Sequence, residues 1–285
     1  MTYRECYERG KAALTAAEIE EAALDARLLL EYVCAADRNT LLVHGDREVA
    51  EEELRRYETL IQKRASHIPL QHLTGVQEFM GLEFIVNEHV LIPRQDTEIL
   101  VEEVLKNLHD GMRILDMCTG SGCILISLLK YSNDCRGVGV DISPEALQVA
   151  RENAEQLLSD DEFQNESAIT FIESNLFEKV TGKFEFIVSN PPYIKRNVIG
   201  TLMPEVREYE PVTALDGGSD GLDFYREIAQ KSREFLAGGG MLFFEIGYDQ
   251  GAEVMELLER NGFADVRIVK DYAGLDRVVY GTFIE

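Results

Sequence analysis

RILDMCTGSGCILISLLKY, residues 113 to 131, is the stretch on which the fold turns. RILDMCT is apolar and strand-like, TGSG is a glycine turn, and CILISLLKY carries on as a helix with no linker between them. A strand that passes through a glycine turn into a helix is the repeating unit of an α/β sheet. The same texture recurs downstream. RGVGVDI (136–142) is the next strand, and Ser143, Pro144 and Glu145 after it make a helix start: an N-cap serine, a proline at the first helical position and an acid in the first turn. That helix runs through EALQVARENAEQLL. AITFIES (168–174) and FEFIVSN (184–190) read as two further strands. LDFYREIAQKSREFL reads as a helix stopped by Gly238, Gly239 and Gly240, and MLFFEIGY, GAEVMELLERNG, ADVRIVKD and RVVYGTFI follow as strand, helix, strand, strand. Alternation of this kind predicts a mostly parallel sheet with helices on both faces. The last two strands lack a helix between them, so one runs antiparallel.

Upstream the pattern is different. AALTAAEIEEAALDARLLLEYVCA (12–35) has no Gly or Pro, and Leu24, Leu28 and Val33 recur at helical spacing, which predicts one long helix. A second is predicted from about Glu51 to Arg64, with Leu54, Leu60 and Ile61 as its apolar face. These make a small helical bundle over residues 1–69. From Pro69 the texture changes: β-branched and aromatic residues with Gly75 and Gly81 predict a β-hairpin connector over 70–90, ahead of an α/β domain over 91–285.

Bulk properties narrow the function classes. The chain has 285 residues and a formal net charge of −24. Residues 1–75 carry 10 basic and 14 acidic side chains, net −4, leaving −20 on the rest. An acidic surface repels the phosphate backbone that dominates nucleic-acid affinity, so no direct nucleic-acid binding is expected. No apolar run is long enough for a membrane span and the N-terminus lacks a signal-peptide pattern, which points to a cytoplasmic protein. The cysteines at 6, 34, 118, 123 and 135 form no CxxC pair, and no histidine flanks Cys118 and Cys123, so neither disulfides nor a metal site are expected.

In doubly wound sheets, ligands sit beyond the C-terminal strand ends. Here that end is LDMCTGSGC. Gly120 and Gly122 let the backbone turn tightly and approach a ligand, the following helix offers free N–H groups, and Asp116 at the strand end is placed to accept from an ammonium group or to orient the loop through water. Asp141 ends the next strand, 19 residues after Gly122, at the distance where a carboxylate accepts from ribose hydroxyls. The full GxGxxG spacing is not met, since Leu125 stands where the third glycine belongs. An acidic ligand set suits a cationic cofactor without phosphates, S-adenosylmethionine, better than a dinucleotide; glycines that merely turn the chain are the third reading.

FEFIVSNPPYI (184–194) supplies the second half of a site. The Asn190 side-chain carbonyl is an acceptor, Pro191 and Pro192 carry carbonyls but no N–H, and their rings stiffen the backbone. Such a cluster suits the two N–H donors of a planar –NH2 group. That nitrogen is a poor nucleophile because its lone pair is delocalised. Hydrogen bonds to the Asn190 side chain and the Pro191 carbonyl orient it and strengthen as positive charge develops on it, so no strong base is needed. Tyr193 supplies a flat wall. A rigid strand exit capped by asparagine is the bland alternative.

The tetrapeptide NPPY together with the glycine loop resembles the class I S-adenosylmethionine-dependent methyltransferases that modify planar nitrogens, and most specifically the HemK/PrmC family of release factor glutamine methyltransferases. The resemblance extends over PLQHLTGVQEFMGLEF (69–84), LIPRQDTEILVE (91–102), SNLF (174–177), EVREYEPVTALDGGSDGLDFYR (205–226) and FFEIGYDQG (243–251), essentially the whole chain. It implies a Rossmann-like class I methyltransferase sheet and methylation of the glutamine amide nitrogen in the Gly-Gly-Gln motif of class I peptide chain release factors. S-adenosylhomocysteine would be the product, no metal would be needed, and the protein would be a monomer. It implies that the cofactor lies on Asp116, Cys118, Thr119, Gly120, Ser121, Gly122, Asp141, Ile142, Asn175, Leu176 and Asn190, the glutamine on Asn190, Pro191, Pro192 and Tyr193, the segment IPRQDTE over the cofactor, and the N-terminal helices against the protein substrate.

Three positions depart from the family pattern. Cys118 stands in place of a usual Gly, Gln95 of a Pro and Asn175 of an Asp. The β-carbon of Cys118 is tolerable if φ there is negative; Gln95 loses a rigid ring from the cover, and Asn175 a carboxylate near the adenine side. A methyltransferase acting on the exocyclic amine of a nucleic-acid base, one acting on another protein, and a non-catalytic cofactor-binding module are the competing functions; the charge argues against the first and the intact NPPY against the last.

Overall fold

Thr2 starts the first helix, α1 (Tyr3–Ala16): its hydroxyl accepts from Glu5 N while the Glu5 carboxylate accepts from Thr2 N. The single long helix expected over 12–35 is broken. Glu18 takes a left-handed φ of 59°, and Ile19 N donates back to Leu14 O at 3.1 Å. Ile19 and Leu14 share one buried cluster, so the chain stops a helix without glycine or proline because the apolar contact rewards it. α2 (Ala22–Cys34) then buries Ala22, Ala26, Leu29, Leu30 and Val33 and leaves Leu24, an expected core residue, 39% exposed. α3 (Arg38–Val43), α4 (Glu51–Ala65) and α5 (Leu70–Thr74) complete the bundle. α5 occupies residues expected in the hairpin; it ends at Gly75, whose φ of 81° closes the helix.

The computed structural model describes residues 1–159 and 169–284, and its contacts divide the chain into two units. Met1–Val76 and Met203–Tyr209 form the first. The later segment is held there by charge: buried Arg64 bonds Asp25 at 2.7 Å and Glu205 at 3.0 Å, His67 Nδ1 lies 3.0 Å from the same Glu205 oxygen, and the Tyr209 hydroxyl donates to Ser66 O at 2.9 Å. Removing either partner of such a pair strands a buried charge.

Gln77–Leu202 and the chain from Glu210 form the second unit. β1 (Val76–Phe79) and β2 (Leu82–Ile85) make the hairpin, and α6 (Gln95–Leu105) follows. β3 (Arg113–Met117), α7 (Cys123–Lys130), β4 (Arg136–Asp141), α8 (Pro144–Leu157), β5 (Ile169–Glu173) and β6 (Phe184–Ser189) come next, and then α9 (Pro204–Arg207) within the first unit's segment. α10 (Asp223–Ser232), β7 (Leu236–Glu245), α11 (Gly251–Arg260), β8 (Phe263–Lys270) and β9 (Asp276–Phe283) close the chain. Ala168, expected to open β5, lies outside the described residues. The expected helix start after β4 is present, with Ser143 Oγ accepting from Ala146 N at 3.1 Å and Pro144 opening the helix.

Seven strands pair in the order β5-β4-β3-β6-β7-β9-β8, all parallel except β9, which runs against both neighbours. Both faces are covered: Phe186, Val188 and Phe243 pack with α6 and α7 on one side, Ile187 and Phe244 with α10 and α11 on the other. Gly238, Gly239 and Gly240 do not stop a helix; α10 ends earlier and the glycines lie inside β7, where the register with β6 shifts. A β-carbon at Gly240 would sit 3.0 Å from Glu185 O, so the bulge needs a bare backbone. No helix among the described residues is long and apolar enough to cross a membrane. The winding reverses between β3 and β6, whose last residues pair as Met117 with Ser189. That reversal brings the two motif-bearing loops side by side.

Candidate active site

Beyond β3 the chain is held by short-range polar contacts. Thr119 Oγ1 donates to Asp116 Oδ2 at 2.6 Å, Thr119 N to Val140 O at 2.9 Å, and Gly122 N to Thr119 O at 2.8 Å. Asp141 receives Gly120 N at 2.9 Å on one oxygen and Ser143 N at 3.0 Å on the other. Asp116 therefore braces the loop from beneath, directly through a hydroxyl. It is fully buried, its Oδ1 has no hydrogen bond, and burial pushes its carboxyl up to about 7 against the Thr119 donor. Burial also raises Asp141, opposed by the N–H groups of Ser143 and Gly120.

The two glycines differ in purpose. At Gly120 (φ 54°) the space where a β-carbon would stand is empty, so the bare backbone borders open room. At Gly122 (φ 79°) a β-carbon would meet Ile126 Cδ1 at 2.9 Å and Ala150 Cβ at 3.2 Å, so this glycine serves the packing of α7 on α8. Cys118 does not have the negative φ that would accommodate its side chain. Its φ is 63°, the left-handed region where a β-carbon is strained, which accounts for glycine suiting the position. Burial raises its thiol far above the ordinary range, so it is an unreactive neutral group. Leu176, also left-handed at φ 46°, is the other strained side chain of this region.

A cavity of about 360 Å³ lies over the loop. The structure brings Cys118, Thr119, Gly120, Ser121, Asp141 and Ile142 to its wall, joined by Asn175, Leu176, Asn190 and Pro192. Asp116, Gly122, Pro191 and Tyr193 do not line it. Ile142 stays 61% exposed, an apolar side chain kept at the edge of the cavity. The Asn175 amide donates to Glu178 at 3.0 Å. Of IPRQDTE, Pro93, Arg94 and Thr97 border the cavity, whereas Gln95 is exposed as the first residue of α6, a position that Pro also tolerates.

The NPPY turn is built from afar. Ser189 Oγ ties the end of β6 to Met117 O at 2.6 Å. Asn190 Nδ2 donates to Thr97 Oγ1 at 3.4 Å, and the Tyr193 hydroxyl to Glu245 Oε1 at 3.4 Å. Gln250 Nε2 bridges Tyr193 O at 3.1 Å and Gly221 O at 3.2 Å. Ile194 N reaches Leu215 O and Gly217 N returns to Ile194 O, both at 2.9 Å. Gly217 is pressed so close that a β-carbon would lie 2.7 Å from Tyr193 Cα. Arg94 clasps both oxygens of buried Glu210, at 2.7 and 2.6 Å.

Sequence reasoning gave Thr97 only a place in the cover over the cofactor and assigned no role to Glu245, Gln250 or Asn153. Asn153 is buried and holds Ile85 N at 2.7 Å, Ile85 O at 3.1 Å and Ser121 O at 3.0 Å, tying hairpin to glycine loop. An asparagine on the core side of α8 was the one visible signal. Among the described residues no cluster of His, Cys, Asp or Glu is arranged to hold a metal.

Residues 5–75 match the family described as PrmC N-terminal domain, and residues 94–204 the one described as Methyltransferase small domain. The chain is 42% identical over 281 residues to a release factor glutamine methyltransferase of Geobacter sulfurreducens, covering 98% of this chain and 96% of that one. It is 43% identical over 260 residues to one from Clostridium acetobutylicum, covering 90% and 89%. A methyltransferase structure from Pyrococcus furiosus superposes with a TM-score of 0.53 at 17% identity over 81% of this chain and 98% of its own, a likeness of fold.

Proposed function

The chain belongs to the release factor glutamine methyltransferase family, and from that premise we propose that it is an S-adenosylmethionine-dependent protein-(glutamine-N5) methyltransferase acting on the Gly-Gly-Gln glutamine of class I peptide chain release factors. The observation that carries the reading is the placement of Asn190 and Pro192 on the same cavity as Gly120 and Asp141. The lining suits the cofactor. Gly120 leaves open room, Asp141 offers a carboxylate to a ribose, and Arg94, the one guanidinium on the wall among the described residues, is already engaged by Glu210, so a pyrophosphate finds little there. Cys118, Thr119, Ser121, Ile142, Asn175 and Leu176 complete the proposed cofactor wall, with Asp116 and Gly122 supporting it from behind.

Bound S-adenosylmethionine supplies an electrophilic methyl group and leaves as S-adenosylhomocysteine. The chain's own task is to present a delocalised amide nitrogen to it. With Nδ2 turned onto Thr97, Asn190 has its Oδ1 to offer one substrate N–H, and the Pro191 carbonyl takes the other. Both acceptors gain strength as the nitrogen becomes cationic, which lowers the barrier more than it tightens ground-state binding. The methylated nitrogen then loses a proton to water. Pro192 stiffens the turn, and the partly exposed ring of Tyr193 is the flat surface proposed to meet the amide plane.

We further propose that residues 1–69 dock the release factor; Leu42 and Val43 on α3 are 67% and 73% exposed, an apolar tip suited to contact. The protein is proposed to act as a cytoplasmic monomer without nucleic acid. Incubation with radiolabelled S-adenosylmethionine and either a purified class I release factor or RNA tests the reading. Label is expected in the release factor at its Gly-Gly-Gln glutamine; label in RNA alone, or in neither, overturns it.

A further inference from the structure

Asn153 on α8 is fully buried, and its side-chain amide is bonded to two separate stretches of chain. Its Oδ1 accepts from Ile85 N at 2.7 Å, while Nδ2 donates to Ile85 O at 3.1 Å and to Ser121 O at 3.0 Å. Gripping both the N–H and the carbonyl of one residue is what a partner strand does in an antiparallel ladder, so the side chain stands in for a strand at the last residue of β2. Both amide hydrogens are committed, one to the hairpin and one to the glycine loop.

Each of these stretches leads to the cavity. Ser121 lines it directly. From Ile85 the chain runs on through Val86 and Val90, 2% and 1% exposed, which pack with Ala146 and Val149 of α8 in a small apolar cluster of their own. Between them Asn87 makes a turn, its Oδ1 accepting from His89 N at 3.0 Å and its carbonyl from Val90 N at 3.3 Å. The turn leaves His89 exposed and brings His89, Val90 and Leu91 to the cavity wall. Nothing in the function proposed above uses these three residues.

Resting on the cofactor assignment proposed above, we infer that residues 89–91 are a further contact surface for bound S-adenosylmethionine, and that Asn153 is the positioning residue that fixes their distance from the glycine loop. The loop keeps its own shape through Asp116 and Asp141. Those bonds leave open where the hairpin exit stands, and Asn153 settles it because one planar amide holds both. Moving Ile85 away from Ser121 breaks at least one of its bonds and leaves a buried polar group unpaired. A ligand that touches both surfaces gains from the fixed spacing, since they are ordered before it binds. Asn153 is not among the residues lining the cavity; its effect passes through Ser121 and Ile85.

The test measures S-adenosylhomocysteine affinity by calorimetry, and methylation of a purified class I release factor across cofactor concentrations, for wild type, N153D, N153A and H89A. An ionised aspartate keeps the shape of asparagine but has no hydrogen to donate, so N153D sets a carboxylate against two carbonyls. N153D and N153A are expected to weaken affinity and raise the cofactor KM by about fivefold or more, with kcat at saturating cofactor and the KM for release factor changed less than about twofold, because the NPPY turn has its own braces. H89A, an exposed change that leaves Asn153 in place, is expected to weaken affinity by about threefold or more. N153D with affinity within about twofold of wild type, a loss carried by kcat instead of the cofactor KM, or an H89A that binds as wild type does overturns the inference. If neither N153D nor N153A folds, N153S, which keeps one donor, replaces them under the same thresholds. A wild type that binds no S-adenosylhomocysteine overturns the cofactor assignment itself, a result distinguishable from a wild type and an N153D that bind it alike.

Discussion

The glycine loop and the NPPY turn sit side by side at the ends of β3 and β6, yet they are stabilised in opposite ways. The loop is held mostly by its own neighbourhood: Asp116, Thr119, Gly120, Asp141 and Ser143, a span of 28 residues, bond one another, and Asn153 on the next helix holds Ser121 O. The turn depends on Thr97, Leu215, Gly217, Gly221, Glu245 and Gln250, from three distant parts of the chain. A cofactor seat can be built by one strand-loop-helix unit, because rigid backbone and one carboxylate suffice. A substrate seat that must hold an acceptor pair at a fixed angle needs bracing from several directions.

The contrast can be broken by substitution. Asn190→Ala removes the proposed side-chain acceptor from the braced turn, and kcat is expected to fall by about 100-fold or more, as for loss of a preorganised hydrogen-bonding group, while cofactor affinity largely survives. Single-turnover methylation with calorimetry checks this; unchanged turnover removes the role. Asp141→Ala strikes the loop instead, and weakening of S-adenosylhomocysteine binding by about 10- to 100-fold is expected from losing a charged acceptor. Full affinity would dismiss the ribose assignment.

Gly217→Ala tests remote bracing, because its β-carbon has only backbone to push against. It is expected to destabilise by about 1–3 kcal/mol, read from denaturant midpoints, and to lower kcat more than it weakens cofactor binding. A variant as stable and active as wild type would show that the turn stands alone. The smallest effect is Cys118→Gly. The left-handed φ costs a residue with a β-carbon about 1–2 kcal/mol and glycine gives back about 0.4–1 through its freer unfolded state, so a net gain of about 0.5–1 kcal/mol is expected. Differential scanning calorimetry with a rise of a few degrees in Tm supports the strain at this loop; a fall contradicts it.

Element type and the succession of elements along the chain were legible wherever local pattern and tertiary need agree. RILDMCT, RGVGVDI and FEFIVSN all became strands, and Ser143-Pro144 capped its helix. The failures have one cause. Gly238 to Gly240 look like a helix stop, but the neighbouring strand requires bare backbone there. Glu18 ends a helix because Ile19 gains burial against Leu14, a reward invisible in residue type. The φ of Cys118 belongs to the same class, since strain at one residue is decided by the hydrogen bonds of its neighbours.

By itself the sequence determined that a glycine loop, an acid at the next strand end and an acceptor-rich NPPY turn occur in that order on a parallel sheet, because each is written in consecutive residues with local hydrogen-bonding needs. Only the tertiary structure decided that Thr97 stands behind Asn190, that Glu245 stands behind Tyr193, and that residues 215–221 clamp the turn. Contacts between positions 93 and 52 apart in the chain leave no periodicity to read; they exist because the winding of the sheet reverses at β3 and β6 and sets the end of β7 beside them.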